Sequence, residues 1–280
     1  MKLFKTTKID PTAQELSNPL DIAVARRDSG VIDMVRAAVK HGEAMLAFQP
    51  VLRSAPPHTT GFYEGLLRVL DATGRVIPAR DFMPSVTKAE LGRDLDVLAL
   101  DLGLKTLAGN PTVRLSLNLS ARSIGYTPWM QTLERHLAED ATRGERLMLE
   151  ITEDSAMDMP ELVISFMDRL QPMGIAFALD EFGAGTTRFA RFREFFFDAV
   201  KLDGQYMDRL AENPDNQALV RAMIAVARQF EMMVIATSVE RLEDAELLIE
   251  LGVDCLQGYL FGAPTLNPPW LDTAGNRARA

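Results

Sequence analysis

Asp180 and Glu181 stand side by side at the end of an apolar run, IAFALDEFGAG over residues 175–185. Side chains on a strand alternate faces, so two adjacent acids at its tip fan apart. Gly183 and Gly185 then let the backbone bend and come close to a ligand. Strand, acids and flexible turn suit metal ions and a phosphate ester. A solvated acidic turn is the competing reading of this stretch taken alone. The pattern recurs, however. Glu64, Asn118, Glu150 with Glu153 beyond it, Lys201 with Asp203, Thr237 with Glu240, and Gln257 all lie in or close after short apolar runs. Oxygen donors without a nearby His or Cys suit hard cations, Mg²⁺ or Mn²⁺. A lysine among acids serves as a base if its pKa is lowered, or pairs with a carboxylate. Asn118 has a helix-cap alternative, and Gln257 before Gly258 a turn alternative.

The elements that must position these residues follow from periodicity. Residues 1–28 are polar and read as a loose arm, and 30–40 have helical spacing. Strand-like runs at 44–52 and 62–70, separated by SAPPHTTG, predict a hairpin. Helical stretches then alternate with short apolar runs. The predicted helices are 94–107, 129–139, 161–170, 216–230 and 242–251. The predicted strands are 113–119, 147–152, 175–179, 199–202, 232–236 and 254–258. Repeated strand–helix units imply parallel strands joined by right-handed crossovers. The count and span predict an α/β fold, a modified TIM (β/α)8 barrel with one antiparallel strand near its start. An open doubly wound sheet is the competing architecture, and no G-x-G-x-x-G supports its dinucleotide version. One barrel domain is expected over 29–266, with a peripheral tail at 267–280. In a barrel the residues named above would converge on the C-terminal mouth.

The formal net charge of −9 over 280 residues argues against a nucleic-acid polymer as partner. Cys255 is the single cysteine, so no disulfide forms within the chain, and it reads as a buried structural thiol. The opening residues lack the apolar core of a signal peptide, and no apolar run is long enough for a membrane span. A cytoplasmic protein is therefore expected.

The run FYEGLLR at 62–68 resembles the E-A-L-L-R signature of EAL domains, the bacterial phosphodiesterases of cyclic di-GMP. Further matches follow in family order: FQP at 48–50, NLSAR at 118–122, EITE at 150–153, DEFGAG at 180–185, KLD at 201–203 and QGYLFG at 257–262. The resemblance covers roughly 30–265. It implies a two-metal cleft, holding one or two Mg²⁺ or Mn²⁺ ions, that opens cyclic di-GMP to linear pGpG. Carried over by motif, Glu64, Asn118, Glu150 and Asp180 would hold metal, and Glu181 would replace a second, bridging aspartate. Lys201 would contact the attacking water and Glu153 would brace the glycine-rich loop. Gln49, Leu66, Arg68, Asp203, Glu240 and Gln257 would serve the dinucleotide.

Four departures from the family pattern stand out. D-D-F-G-T-G is DEFGAG, A-E-G-V-E is ATSVE with Thr237 in place of a metal-site glutamate, Y-S-S is T-T-R at 186–188, and alanine of the signature is Gly65. A weak phosphodiesterase is expected on this basis. A receptor that binds without hydrolysis and a protein-interaction scaffold are the alternatives. Regulatory input would come through the arm, a homodimer or a separate partner protein.

Overall fold

The computed structural model describes residues 19–86, 90–185, 187 and 189–271, with side chains from Gly30 onward except that of Phe189. A long helix, α1 (Pro19–His41), leads into β1 (Ala44–Arg53) and β2 (Thr60–Leu70), the expected hairpin. A short β3 (Val76–Pro78) pairs back on the end of β2, and α2 (Ala79–Val86) and α3 (Glu90–Gly109) follow. Strands and helices then alternate: β4 (Leu115–Asn118), α4 (Thr127–Glu139), β5 (Leu147–Thr152), α5 (Glu153–Asp158), α6 (Pro160–Leu170), β6 (Ala176–Phe182) and β7 (Ala199–Leu202). The last units are α7 (Pro214–Gln229), β8 (Met233–Ala236), α8 (Leu242–Leu251) and β9 (Cys255–Leu256).

The sheet closes on itself. The order β1-β9-β8-β7-β6-β5-β4-β2 is completed by the β1–β2 pairing, and β3 hangs outside the ring. The strands from β2 through β4 to β9 run parallel around the ring, and β1 is antiparallel to both neighbours. This is the expected (β/α)8-type barrel, and the open sheet is excluded.

Local chemistry sets the element ends. Asn213 caps α7 by accepting the Asn216 N–H at 3.1 Å, and Pro214 fits the first helical turn. Thr152 caps α5 as β5 ends, accepting the Ser155 N–H. Gly252, at φ +87°, stops α8.

Alternation sorts the strands into two faces. Outward residues such as Leu117, Leu149, Phe177, Val200 and Val234 are buried in the main core. Trp129, Phe166 and Phe177 continue that core, with a tilted ring contact at 5.5 Å and an edge contact at 5.9 Å. Leu117 lies between two glycines: a Cβ on Gly65 would meet it at 2.7 Å and one on Gly103 at 2.6 Å. The glycine at the signature's alanine position therefore makes room for this leucine. The inward residues form a separate cluster, Val51, Phe62, Ala178, Ala199, Ile235 and Cys255, which plugs the lumen. Two residues further along the strands the lumen turns polar.

Three expectations change. Residues 19–28, read as arm, are helical, and 1–18 lie outside the described residues. The tail is not peripheral as far as Trp270: Thr265 bridges to Phe48, and Trp270 sits 4.9 Å from Phe48 and 5.9 Å from Tyr63 by ring centroids. Residues 272–280 lie outside the described residues. The strand predicted at 113–119 is shorter. No described helix is long and apolar enough to cross a membrane.

Candidate functional site at the C-terminal mouth of the barrel

The polar layer is built by the next inward position on each strand. On β2 it is Glu64, two after Phe62; on β5, Glu150, two after Met148; on β9's end, Gln257, two after Cys255. Asn118, Asp180, Lys201 and Thr237 complete it from β4, β6, β7 and the end of β8, and Gln49 enters from the reversed β1.

Lys201 is the hub. Its Nζ lies 2.6 Å from Glu150 Oε2, 3.1 Å from Glu64 Oε2 and 3.5 Å from Asp180 Oδ1. Gln257 donates to Glu64 Oε2 at 2.6 Å and to Gln49 Oε1 at 3.2 Å, and Asn118 donates to Glu64 Oε1 at 2.9 Å. Gln49 continues the chain to the Gly262 carbonyl at 3.1 Å.

The electrostatics follow from this wiring. Burial opposes the charge on Glu64, but Lys201 and the amide donors outweigh it and hold Glu64 below its ordinary value. Burial and then the Glu64 charge push Glu150 upward, against the pull of Lys201. Burial would discharge Lys201, yet Asp180, Glu150 and Glu64 together raise it well above its ordinary value. Lys201 thus stands as an ammonium paired with three carboxylates.

Two cavities meet over this layer. One, of about 420 Å³, is lined by Glu181, Asp203, Thr237, Glu240 and Tyr259 among others. The second, of about 460 Å³, is walled by Leu66, Arg80, Asp96, Asn118 and Glu150 among others. Glu64 and Glu181 line both. Glu153 stands behind: it is buried, and its Oε2 accepts the Gly183 N–H at 2.9 Å. Arg68 stands apart, donating to the Leu67 carbonyl at 2.9 Å and lining neither cavity. Thr186 and Arg188 of the altered loop lie outside the described residues.

The departures have structural correlates. Glu181 sits at φ +56°, and partial desolvation on the cavity side, then the Asp180 and Asp203 charges, raise its pKa. Thr237 donates its hydroxyl to the Leu202 carbonyl at 2.7 Å. Ser238, at φ +56°, holds the left-handed backbone that the family's glycine adopts freely.

Among the described residues no three His, Cys, Asp or Glu side chains converge as a ready metal cluster. The donor set nevertheless fits a hard cation. Glu64, Asn118, Glu150 and Asp180 offer oxygen from neighbouring strands, and Glu150 Oε1 is buried without a hydrogen-bond partner.

Sequence reasoning missed Asp96. It is buried on α3, accepting from Ser123 Oγ at 2.5 Å and from the Ser120 N–H at 3.2 Å, and burial pushes it up to about 7. The signal was an acid set into the apolar run LDVLALDLGL.

The fold and mouth define a (β/α)8-type barrel with a layer of oxygen donors at its C-terminal mouth. The chain belongs to the EAL domain family, whose model matches residues 32–264. The cyclic di-GMP phosphodiesterase PdeF of Escherichia coli (strain K12) is 27% identical over 252 residues, 87% of this chain and 32% of that protein. The chain thus spans about a third of the length of that curated relative. Among solved structures, the PaMucR phosphodiesterase in its c-di-GMP complex is 26% identical with a TM-score of 0.76, covering 84% of this chain and 97% of that one. The FimX EAL domain from Pseudomonas aeruginosa bound to c-di-GMP shares the fold at 24% identity and a TM-score of 0.77, covering 84% of this chain and 96% of that one.

Proposed function

We propose that this chain binds cyclic di-GMP at the C-terminal mouth and hydrolyses it slowly with the help of a hard divalent cation. The observation that carries the reading is the intact polar layer, in which Gln49, Glu64, Asn118, Glu150, Asp180, Lys201 and Gln257 come together between the two cavities. Glu64, Asn118, Glu150 and Asp180 would hold the cation, with Glu181 beside them. When bound, it polarises a phosphoryl oxygen and lowers the pKa of water.

The chain's own residues do the rest. Lys201 keeps a positive charge beneath the site and orients the carboxylates. Gln49 and Gln257 fix the orientation of Glu64. Glu153 holds the Gly183 end of the glycine-rich loop, and Tyr206 donates to the Gly183 carbonyl from the other side at 2.5 Å. Leu66 gives an apolar wall in one cavity, and Asp203 and Glu240 line the other.

Turnover is slow because Thr237 brings no carboxylate and its hydroxyl hydrogen is spent on a backbone carbonyl. Mn²⁺ should serve better than Mg²⁺, which demands stricter octahedral geometry. Incubation of the protein with c-di-GMP and either ion, followed by chromatography, tests this. Calorimetry run in parallel separates a silent receptor from a protein that does not bind. Saturable binding without pGpG establishes the receptor; absence of binding with and without metal removes both readings.

A further inference from the structure

The opposite mouth of the barrel holds a third cavity, about 250 Å³, at the N-terminal ends of the strands. Nothing in the c-di-GMP reading uses it. Its floor is apolar. Phe62 and Cys255 belong to the lumen plug, and Met148 and Met233 rest against that plug while only partly buried. Its rim carries more cations than anions, with Arg53 at the end of β1, Arg114 just before β4, Arg146, and one carboxylate, Glu145.

A third arginine at this mouth shows what a committed guanidinium looks like. Arg146 spends its NH1 on the carbonyls of Leu107, Asn110 and Val113, at 2.9, 3.0 and 3.3 Å. Arg114 gives one contact, NH1 to the Glu145 carbonyl at 2.9 Å, and keeps its other donors. Arg53 has no ion pair and no side-chain hydrogen bond among the described residues. Its stem lies over Gly61, where a Cβ would meet Arg53 Cγ at 3.4 Å, so the backbone of β2 steers it along the rim. Of the nearby carboxylates, Asp254 accepts the Val234 N–H at 2.7 Å through Oδ2, and Glu145, which lines the same cavity, is exposed and forms no ion pair with either arginine among the described residues. Arg53, together with the donors that Arg114 keeps, thus faces an apolar floor in a protein of net charge −9.

We propose that this cavity is a second binding site, for a small organic anion with an apolar body: a short-chain or aromatic monocarboxylate. The carboxylate takes the planar forks of Arg53 and Arg114. The body takes the floor, where Met148 and Met233 adapt their unbranched side chains to its shape. The volume lies below the roughly 300–1,000 Å³ of drug-sized sites, so nucleotides and long acyl chains are too large.

The test uses the full chain with methionine methyl groups labelled for NMR, and hexanoate and hexanol as probes. Hexanoate should shift the Met148 and Met233 methyl signals saturably, and hexanol should bind at least about tenfold more weakly, the strength of a charged hydrogen bond. Arg53→Gln and Arg114→Gln, both at the surface, should each weaken hexanoate by about tenfold. Ala176→Leu, which fills the cavity, should abolish the shifts. The proposal is overturned if no saturable shift occurs, if hexanol binds as well as hexanoate, or if the arginine variants bind unchanged. Should Ala176→Leu fail to fold, the two arginine variants decide alone. None of these readouts involves c-di-GMP.

Discussion

The two flanks of the C-terminal mouth are built differently. On the β2, β4 and β9 side, Glu64 is gripped by Asn118 and Gln257, and by Lys201 reaching in from β7, with each contact between 2.6 and 3.1 Å. On the β6 and β8 side the departures collect: Glu181 and Ser238 both sit at φ +56°, and Thr237 turns to a backbone carbonyl. In the proposed function the first flank seats the ligand, and the second is the one whose carboxylate complement differs from the family pattern. If the proposed function holds, wiring and chemistry vary separately within one ring, and turnover and binding should respond to different substitutions.

The largest expected effect comes from breaking the wired flank. Glu64→Ala strips Lys201, Asn118 and Gln257 of a shared partner. It should lower stability by about 3 kcal/mol, as for other broken buried ion pairs, and abolish measurable c-di-GMP binding. Urea unfolding and calorimetry read the two consequences; a variant that binds normally would show that the wired flank is not the ligand's seat.

Repairing the other flank comes next. Thr237→Glu, alone or with Glu181→Asp, should raise turnover by about 10², or roughly 2.7 kcal/mol on the barrier, with little change in binding. A double variant that still binds ligand and metal yet stays inert would sink the comparison. So would a natural protein that already turns over at rates ordinary for enzymes.

A pH dependence sharpens the wired side. Asp96 is pushed up to about 7 from the usual 3.8 by burial. Its folded pKa is raised, so its contribution is fully present below about pH 4 and lost as pH rises towards 7. Asp96→Asn keeps an oxygen for Ser123 and Ser120 but cannot ionise. Compared with the natural protein, it should gain stability on the order of 4 kcal/mol between pH 4 and 8, read as a difference in urea midpoints. A difference that is flat across that range would refute the assignment.

The smallest effect belongs to Ser238→Gly, which removes the steric penalty of a positive φ and should stabilise the protein by about 1 kcal/mol or less. Unchanged or lower thermal stability would show that Ser238 is not strained.

Much of this was legible in the chain. The strand ends could be read because each is a short apolar run closed by a polar residue, and a barrel gives those ends one destination. What escaped has physical reasons. Val76–Pro78 is too short to show a period, and its pairing with β2 is set by the turn between them. The α2 helix carries Pro84 inside it, which reads as a breaker. Trp270 docks on Phe48 and Tyr63 across the whole sequence, beyond any local window. The positive φ of Glu181 and Ser238 left no glycine to announce it.

The reversed direction of β1 has a mechanical consequence. Because β1 runs against its neighbours, Ala44 pairs with Val69, at the same end of the barrel as the polar layer. The α1 helix therefore hands the chain over at the working face, where an all-parallel barrel would receive it at the far one. It also packs on α2, whose Ala79, Arg80 and Met83 wall one of the two cavities. A single helix, α2, therefore stands between α1 and the lip of that cavity.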